Sequence, residues 1–174
     1  ISKPRKGSSG KDITVINNKN ELMINNINGD YILQEIIDGD EITVDIFSNG
    51  SGTCFDAVQR KRIKIRGGEV ERAVTIKNKK IFKIVENFTK CFTPLGVINI
   101  QFIIKDKIPY LIEINPRFGG GYPLSYHAGA NFPLRIFNFL LNKENDISMG
   151  NYTEDLYMLR YDKAVYTNKL IKLC

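Results

Sequence analysis

The segment 110–123, YLIEINPRFGGGYP, places groups capable of chemistry on an otherwise aliphatic strand. Glu113 and Asn115 are two residues apart, so both side chains should lie on the same face of the strand. Arg117 follows them and precedes three consecutive glycines, 119–121. Because a buried carboxylate without a partner is costly, Glu113 must be exposed, paired or bound to a metal ion.

The strand before this segment is predicted to pair with it. VINIQFIIK and PYLIEIN are separated by a short turn at 106–108, which predicts an antiparallel hairpin. A turn centred on its middle residue places Gln101 opposite Glu113 and Asn99 opposite Asn115. The other face of the hairpin is then apolar and should pack on the core. Its members are Ile98, Ile100, Phe102, Ile104, Tyr110, Ile112 and Ile114.

The polar end of this hairpin has the chemistry of a hard-cation site. Opposed side chains stand about 5 Å apart at Cβ, so their oxygens could converge on one ion. Mg²⁺ takes oxygen ligands, needs few carboxylates and shares its shell with water and phosphate. The alternative is a solvated polar face, which is ordinary for an antiparallel sheet. We favour the metal site, because three amides and one acid are bunched at one end of the face.

Two basic stretches could bind phosphate. In KPRKGSSGKD, a Gly/Ser turn with many backbone N–H donors is flanked by lysines and an arginine. In VQRKRIKIR, Arg60, Arg62, Lys64 and Arg66 share one predicted strand face, which could meet a nucleotide or nucleic acid. The absence of interleaved aromatic residues weakens the nucleic-acid interpretation. The alternatives are an ordinary surface loop for the first stretch and a charged edge strand for the second.

Composition sets the broad class. The chain has 174 residues, of which 43% are hydrophobic, enough for one domain or two small lobes. Its net charge of +6 could reflect an anionic ligand, nucleic acid or only a lysine-rich composition. Three distant cysteines and the lack of a long apolar run lead us to expect a cytoplasmic protein. Since the chain begins at Ile1, we expect it to be part of a longer polypeptide.

The remaining elements follow from pattern. Two β-branched runs flank Asp38-Gly39-Asp40, which predicts a hairpin. In its second arm, alternate residues 42, 44 and 46 are aliphatic, whereas 41, 43 and 45 are polar. Helices are predicted over 79–93 and from about Pro133 to Leu141. His127 is the only histidine, so we expect no histidine-based triad within this chain.

In this order, the motifs resemble the ATP-grasp superfamily, and most closely its carbamoyl-phosphate synthase large-subunit-like branch. The matching stretches are KPRKGSSGKD, YILQEIIDGDEITVD, GVINIQF, YLIEINPRFGGG and SYHAGANFP, which together cover nearly the whole chain. The resemblance implies an α+β fold with a mostly antiparallel sheet and flanking helices, in which two lobes grip ATP. Residues 1–37 would be the remainder of the small, incomplete N-terminal lobe, and 38–174 the large lobe with the metal and substrate site.

The resemblance also implies site residues. The implied phosphate contacts are Lys3, Gly7, Ser8, Ser9 and Gly10. The implied hinge beside the adenine is formed by Gln34, Glu35, Ile36 and Ile37. Glu41 would bind the ribose hydroxyls, and Arg117 would stabilise the acyl phosphate. The implied ligands of Mg²⁺, with Mn²⁺ as an alternative ion, are Gln101, Glu113 and Asn115.

Enzymes of this kind use ATP to phosphorylate a carboxylate or bicarbonate, and an amine or other nucleophile then displaces phosphate. The implied function is that of one portion of an ATP- and Mg²⁺-dependent ligase. The N-terminal region of the same polypeptide would complete the enzyme. If that region is required for activity, the portion is inactive by itself. Gln101 stands where many relatives have an acid. The resemblance is compatible with an oligomer and implies no membrane. The alternative is a non-catalytic nucleotide- or nucleic-acid-binding module that uses residues 60–66.

Overall fold

A computed structural model of the chain describes residues 1–6, 12–24, 30–164 and 166. Within these residues there are eight strands and four helices. In chain order they are β1 (Ser2–Pro4), α1 (Lys19–Ile24), β2 (Tyr31–Leu33), β3 (Asp40–Asn49), β4 (Cys54–Arg66), β5 (Glu69–Ile76), α2 (Lys79–Phe92), β6 (Leu95–Lys105), β7 (Ile108–Asn115), α3 (Tyr122–His127), α4 (Phe132–Leu140) and β8 (Tyr157–Leu159). None of the helices in these ranges has the length and apolar character needed to cross a membrane.

The strands form two sheets. β1 and β2 pair as a small two-stranded sheet. The other six form one sheet in the order β7-β6-β3-β4-β5-β8, and each neighbouring pair is antiparallel. The expected α+β architecture with a mostly antiparallel sheet is therefore confirmed.

One face of the large sheet is the apolar core. Ile42, Val44 and Ile46 alternate along β3 and are buried, as their spacing predicts. α2 packs on this face through Ile81 and Val85. The helix begins where the Asn78 side chain accepts hydrogen bonds from the first-turn amides, and it ends at a left-handed Thr93. The predicted helix over 79–93 is confirmed within one residue.

The opposite face of the same strands is polar at its centre. Thr43 and Asp45 point to this face and are nevertheless buried. Further along, Phe47 packs with Tyr122 and Phe132, so α3 and α4 cover one end of the face. The sequence analysis predicted α4 but missed α3, a six-residue helix directly after the glycines. The polar centre is consequently closed at one end by helices.

The predicted hairpin around residues 38–40 is wrong. β2 pairs with β1, and residues 34–38 have no regular structure. β3 instead lies between β4 and β6, so both of its edges are already occupied. At the entry to β3 the chain is pressed against β6, because a Cβ placed on Gly39 would lie 2.1 Å from the Ile104 carbonyl oxygen. Long-range pairing with β6 thus overrides the local turn signal.

The β6–β7 hairpin is confirmed, with a different turn. The turn has two residues, Asp106 and Lys107, both with positive φ, and not three. A bulge between Gln101 and Phe102 compensates for the missing residue. The predicted pairing is therefore correct beyond the bulge, at Gln101–Glu113, and displaced by one residue near the turn.

The expectation that the apolar residues of β7 all pack on the core is wrong. Tyr110 is 36% exposed and Ile114 is 41% exposed, since β7 lies at the edge of the sheet. Ile112 lines a small cavity together with Gln101 and Glu41, on the polar face. The bulge and the edge position together explain why the side chains of β7 do not simply alternate between a buried and an exposed face.

Candidate active site

Three neighbouring strands place oxygen-bearing side chains on the polar face. Asn99 is opposite Asn115, and Gln101 is opposite Glu113. Thr43 of β3 pairs with Gln101 on the other side. Glu113 is exposed, and no residue in the described ranges forms a hydrogen bond or ion pair with its side chain. The cluster therefore has one unengaged carboxylate surrounded by amide groups.

The donor set of this cluster fits a hard cation. Carboxylate and amide oxygens are ligands that Mg²⁺ accepts, and water and phosphate normally complete its shell. The Nδ2 atom of Asn115 is buried without a hydrogen-bond partner in the described part of the chain, whereas its Oδ1, the atom that could bind a cation, has a long 3.5 Å contact with Arg117 Nη2. The described ranges contain no cluster of three or more His, Cys, Asp or Glu residues. A bound ion would accordingly be held by one acid and neutral amides.

A buried ion pair supports the cluster from below. The Arg60 guanidinium contacts both Asp45 oxygens, at 2.7 and 3.0 Å, and the two side chains are 2% and 1% exposed. Asn99 Nδ2 donates to Asp45 at 2.8 Å, and Ser125 Oγ donates at 2.5 Å. These donors compensate the carboxylate for lost water. Because its Nδ2 is held by Asp45, Asn99 keeps its amide oxygen for another partner.

Arg62 connects two of the predicted ligand-binding residues. Its guanidinium lies 3.2 Å from Glu41 Oε2 and 3.5 Å from Gln101 Oε1. The side chain is 14% exposed, and its Nε is buried without an acceptor among the described residues. A buried guanidinium N–H without an acceptor is unusual, and an anionic ligand would satisfy it.

The three glycines after Arg117 lie against polar groups of the site. A Cβ on Gly119 would lie 2.6 Å from Asn99 Nδ2, and one on Gly120 would lie 1.9 Å from Glu69 Oε2. A Cβ on Gly121 would lie 2.1 Å from Arg60 Nη1. The backbone thus lies directly on three polar groups of the site, and a side chain at any of these positions would require one of these groups to move.

Arg117 lies at the start of this loop. Its backbone N–H donates to the Asn115 carbonyl at 2.8 Å, and its Nη1 donates to the Phe118 carbonyl at 3.0 Å. Its Nη2 is 3.5 Å from Asn115 Oδ1. Together with Arg60 and Arg62, this residue lines a cavity whose floor includes Gln101 and the glycine loop. Arg60 and Arg62 are each paired with a carboxylate, so the Arg117 guanidinium and the Nε of Arg62, which lacks an acceptor in the described ranges, are the groups that suit this cavity to an anion.

Tyr122 fixes the loop to the covering helices. Its hydroxyl donates to the Ala130 carbonyl and accepts from the Phe132 amide, both at 2.8 Å. Burial raises the pKa of Tyr122 to about 12, so the phenol stays neutral and can donate. The phenol therefore ties the start of α3 to the start of α4, beside the cavity.

The predicted nucleotide contacts are spread over two places. Glu41 lies with Gln101 at the small cavity that contains Ile112. Gln34 and Glu35 line a different cavity, beside Ile16 and Leu22. The hinge segment itself joins the two sheets, and Gln34 exchanges two backbone hydrogen bonds with Ile1, at 2.6 and 2.8 Å.

The other residues predicted to bind the nucleotide lie outside these cavities or outside the described part of the chain. Ile36 is exposed and Ile37 is half-buried. Lys3 is half-buried in β1, opposite Ile32. The predicted phosphate loop Gly7, Ser8, Ser9 and Gly10 lies outside the described residues.

The basic strand is not a free row of cations. Arg60 and Arg62 are paired with Asp45 and Glu41, as described above. Lys64 is 3.0 Å from Glu71, and Arg66 is 2.8 Å from Asp162. Their charges are balanced by carboxylates of the same chain, which disfavours the interpretation of residues 60–66 as a nucleic-acid surface.

Thiol and histidine chemistry find no support at the site. Cys54 is buried, and burial followed by the nearby Asp56 charge raises the pKa of its thiol to about 12. Cys91 is exposed at the end of α2. His127 is exposed and packs edge-on against Tyr126.

Three residues of the site were missed as functional candidates by the sequence analysis. Asp45 was placed on the correct face of β3, but its partner on β4 could not be identified without the register. Ser125 belongs to α3, which had no clear pattern. Glu69 was treated as part of a turn, although it lines the same cavity as Arg117.

Comparison with known proteins identifies the family. Residues 28–163 match the family described as ATP-grasp in the biosynthetic pathway with Ter operon. This match covers well over half of the chain, so the protein belongs to that ATP-grasp family. The resemblance inferred from the motifs is therefore confirmed.

The protein is similar to two kinds of curated relatives. It is 31% identical over 149 residues to an uncharacterized protein of Methanocaldococcus jannaschii, which covers 83% of this chain and 37% of the relative. It is 28% identical over 105 residues to the carbamoyl phosphate synthase large chain of Thermoanaerobacter pseudethanolicus, covering 56% of this chain and 10% of the relative. The chain thus spans well under half of these relatives.

Solved structures share the fold. The biotin carboxylase domain dimer of Hydrogenobacter thermophilus 2-oxoglutarate carboxylase, in complex with MgADP, ADP and bicarbonate, matches with a TM-score of 0.73 at 17% identity, covering 90% of this chain and 39% of that one. The biotin carboxylase domain of a thermophilic 2-oxoglutarate carboxylase bound to bicarbonate matches with a TM-score of 0.62 at 17% identity, covering 80% and 36%.

Proposed function

We propose that this chain is the catalytic portion of an ATP- and Mg²⁺-dependent ligase that activates a carboxylate, or bicarbonate, as an acyl phosphate for attack by an amine or another nucleophile. The observation that carries the proposal is the pairing of Gln101 with Glu113 on the face where Arg60, Arg62 and Arg117 line one cavity. Oxygen donors for a cation and guanidinium groups for an anion are adjacent there, as phosphoryl transfer requires.

The nucleotide would lie between the two sheets, with residues 1–37 as part of the small lobe and 38–174 as the large lobe. Lys3 and the loop from Gly7 to Gly10 would contact phosphates. Residues 34–37 would contact the adenine, and Glu41 would bind the ribose hydroxyls. Because Glu41 is paired with Arg62, ribose binding would share or replace that contact.

Gln101, Glu113 and Asn115 would hold Mg²⁺ or Mn²⁺, and the bound ion would offset negative charge on the phosphates. Glu113 is suited to the central position, since it is the one carboxylate of the set. Asn99 would contribute indirectly, because its contact with Asp45 fixes the strand position opposite Asn115.

The reaction would have two stages. In the first, a carboxylate oxygen attacks the γ-phosphorus of ATP, the bond from that phosphorus to the β,γ-bridging oxygen breaks, and ADP leaves. In the second, the neutral nucleophile attacks the acyl carbon, the bond from that carbon to the phosphate oxygen breaks, inorganic phosphate leaves, and the added nucleophile gives up a proton to solvent. Arg117 and Arg62 would offset the charge of the transferring group, and the glycine loop would let the acid approach the backbone closely.

The test is Mg²⁺-dependent ADP release by the full-length polypeptide, screened over carboxylic acids and bicarbonate. We expect Glu113→Ala to abolish acid-stimulated ADP release, because it removes the charged ligand. Glu144→Ala is the matched control, since Glu144 is an exposed acid with no hydrogen bond or ion pair in the described ranges. Unchanged turnover in the Glu113 variant would reject the site.

A further inference from the structure

A carboxylate lies in the cavity that three guanidinium groups line. Glu69 begins β5, next to the Gly67-Gly68 turn, and lines the same cavity as Arg60, Arg62 and Arg117. Because Arg60 and Arg62 are already paired with Asp45 and Glu41, a further acid beside Arg117 weakens the attraction for a simple anion. Its presence indicates that the ligand of this cavity is not an anion alone.

Glu69 is weakly engaged by the protein. Its side chain is 61% exposed, and its ion pair is a 3.5 Å contact with Arg160. Glu71, two residues further along β5, differs in each respect. It is 13% exposed and lies 3.0 Å from Lys64 and 3.5 Å from Arg66. Glu71 thus neutralises neighbouring cations, whereas Glu69 keeps most of its hydrogen-bonding capacity.

The glycine loop is shaped to accept this carboxylate. A Cβ on Gly120 would lie 1.9 Å from Glu69 Oε2, so the acid lies directly against the loop that begins at Arg117. The carboxylate therefore belongs to the wall of the cavity and not to the outer surface of the β4–β5 turn. A ligand next to Arg117 would also be next to Glu69.

We propose that Glu69 binds a primary ammonium group, so that the cavity holds a carboxylate at its guanidinium side and an ammonium at its Glu69 side. This inference rests on the proposed ligase function and specifies its substrate class. The ammonium has two sources, the acid that is activated or the amine that attacks. In the first case the acid is an amino acid. In the second, the nucleophile is bound as its ammonium form, loses a proton to solvent and attacks as the neutral amine.

The experiment compares Glu69→Gln with the wild type in the ADP-release assay. Acids are tested in pairs that differ by the amino group, such as L-alanine with propionate and L-glutamate with glutarate. Each acid is tested with ammonium chloride and with methylamine as nucleophile. The substitution keeps the shape of the side chain and removes its charge, so we expect the KM of the ammonium-bearing reactant to rise by about 10-fold or more.

The pattern of KM values identifies the source. If the ammonium belongs to the acid, the KM of the amino acid rises and that of its deamino partner stays unchanged. If it belongs to the nucleophile, the KM of ammonium or methylamine rises for every acid. Glu69→Asp should recover part of the affinity, and Glu144→Gln should change nothing. Equal changes for both members of each pair and for the amines, or no change at all, would overturn the inference.

Failure of the proposed function is separable from failure of this inference. If no acid stimulates ADP release, the ligase proposal is rejected, and binding of L-alanine and of methylammonium chloride is measured by calorimetry. Binding to the wild type that is lost in Glu69→Gln would support the ammonium site by itself. No binding to the wild type would overturn it. Thermal unfolding of each variant shows whether a loss reflects misfolding.

Discussion

The two faces of the large sheet are built from the same strands and do different things. On the α2 side, Val44 and Ile100 are fully buried among aliphatic neighbours. On the opposite side, Thr43 and Asp45 are buried as well, but Asp45 is held by Arg60 and Asn99. Burial stabilises the first face directly, through apolar surface removed from water.

The polar face gains less from burial, because desolvation of a charged pair offsets much of the attraction between its members. Its contribution is to hold strands and side chains of the site in place. The pair fixes β3 against β4 beneath the cavity, and Asn99 and Ser125 are aligned by the same carboxylate. One face of the sheet therefore stabilises the fold, while the other holds the site groups in place.

Removing one member of the buried pair should have the largest effect. Arg60→Met leaves Asp45 charged and buried, with Asn99 and Ser125 as its remaining side-chain partners among the described residues. We therefore expect a loss of about 3–5 kcal/mol in the free energy of unfolding. Urea denaturation of the protein measures it. If the pair is a positioning device, the double variant Asp45→Leu/Arg60→Met should recover most of the loss.

The double variant should also show the remaining cost, since Asn99 and Ser125 lose their acceptor. A single variant as stable as the wild type would mean that the two faces do not differ as described.

The next test compares two opposed isoleucines. Ile100 and Ile114 pair directly across β6 and β7, yet Ile100 is fully buried and Ile114 is 41% exposed. We expect Ile100→Ala to cost about 2–5 kcal/mol of unfolding free energy, and Ile114→Ala clearly less. The measurement is again urea denaturation of both variants. Equal losses would show that the edge strand is packed as tightly as the centre of the sheet.

The sequence predicted the site cluster because its pattern is local. Gln101 and Glu113 belong to one hairpin, so a short turn and a two-residue alternation sufficed to oppose them. The prediction held although the turn was misjudged, because the bulge after Gln101 compensated for a turn one residue shorter than assumed. Apolar periodicity located α2 for the same reason.

The pairing of strands that are distant along the chain could not be predicted from the sequence. The turn signal at residues 38–40 was overridden because β3 pairs with β6, and Asp40 is paired with Ile104, far along the chain. Such contacts leave no local signature. Likewise Arg60 was assigned to an exposed row of cations, since nothing along β4 shows that Asp45 lies beside it. Glu69 was missed because its position in the cavity depends on contact with Gly120, which a distant loop brings against it.

The smallest expected effect concerns two adjacent glycines in that loop. Gly121→Ala would place a methyl group 2.1 Å from Arg60 Nη1 and 2.8 Å from Val70 Cγ1, and Arg60 cannot withdraw because Asp45 holds it. We expect a loss of about 1–3 kcal/mol in unfolding free energy, as for other overpacked sites.

Gly120→Ala would meet the end of the Glu69 side chain, which is 61% exposed and can move away. Its unfolding free energy should therefore change less than that of Gly121→Ala, while its affinity for the ammonium-bearing reactant should fall together with that of Glu69→Gln. Urea denaturation and the ADP-release assay on both variants check this. If Gly120→Ala lost more stability than Gly121→Ala, the ion pair under the loop would not be the rigid partner and Glu69 would not be the mobile one.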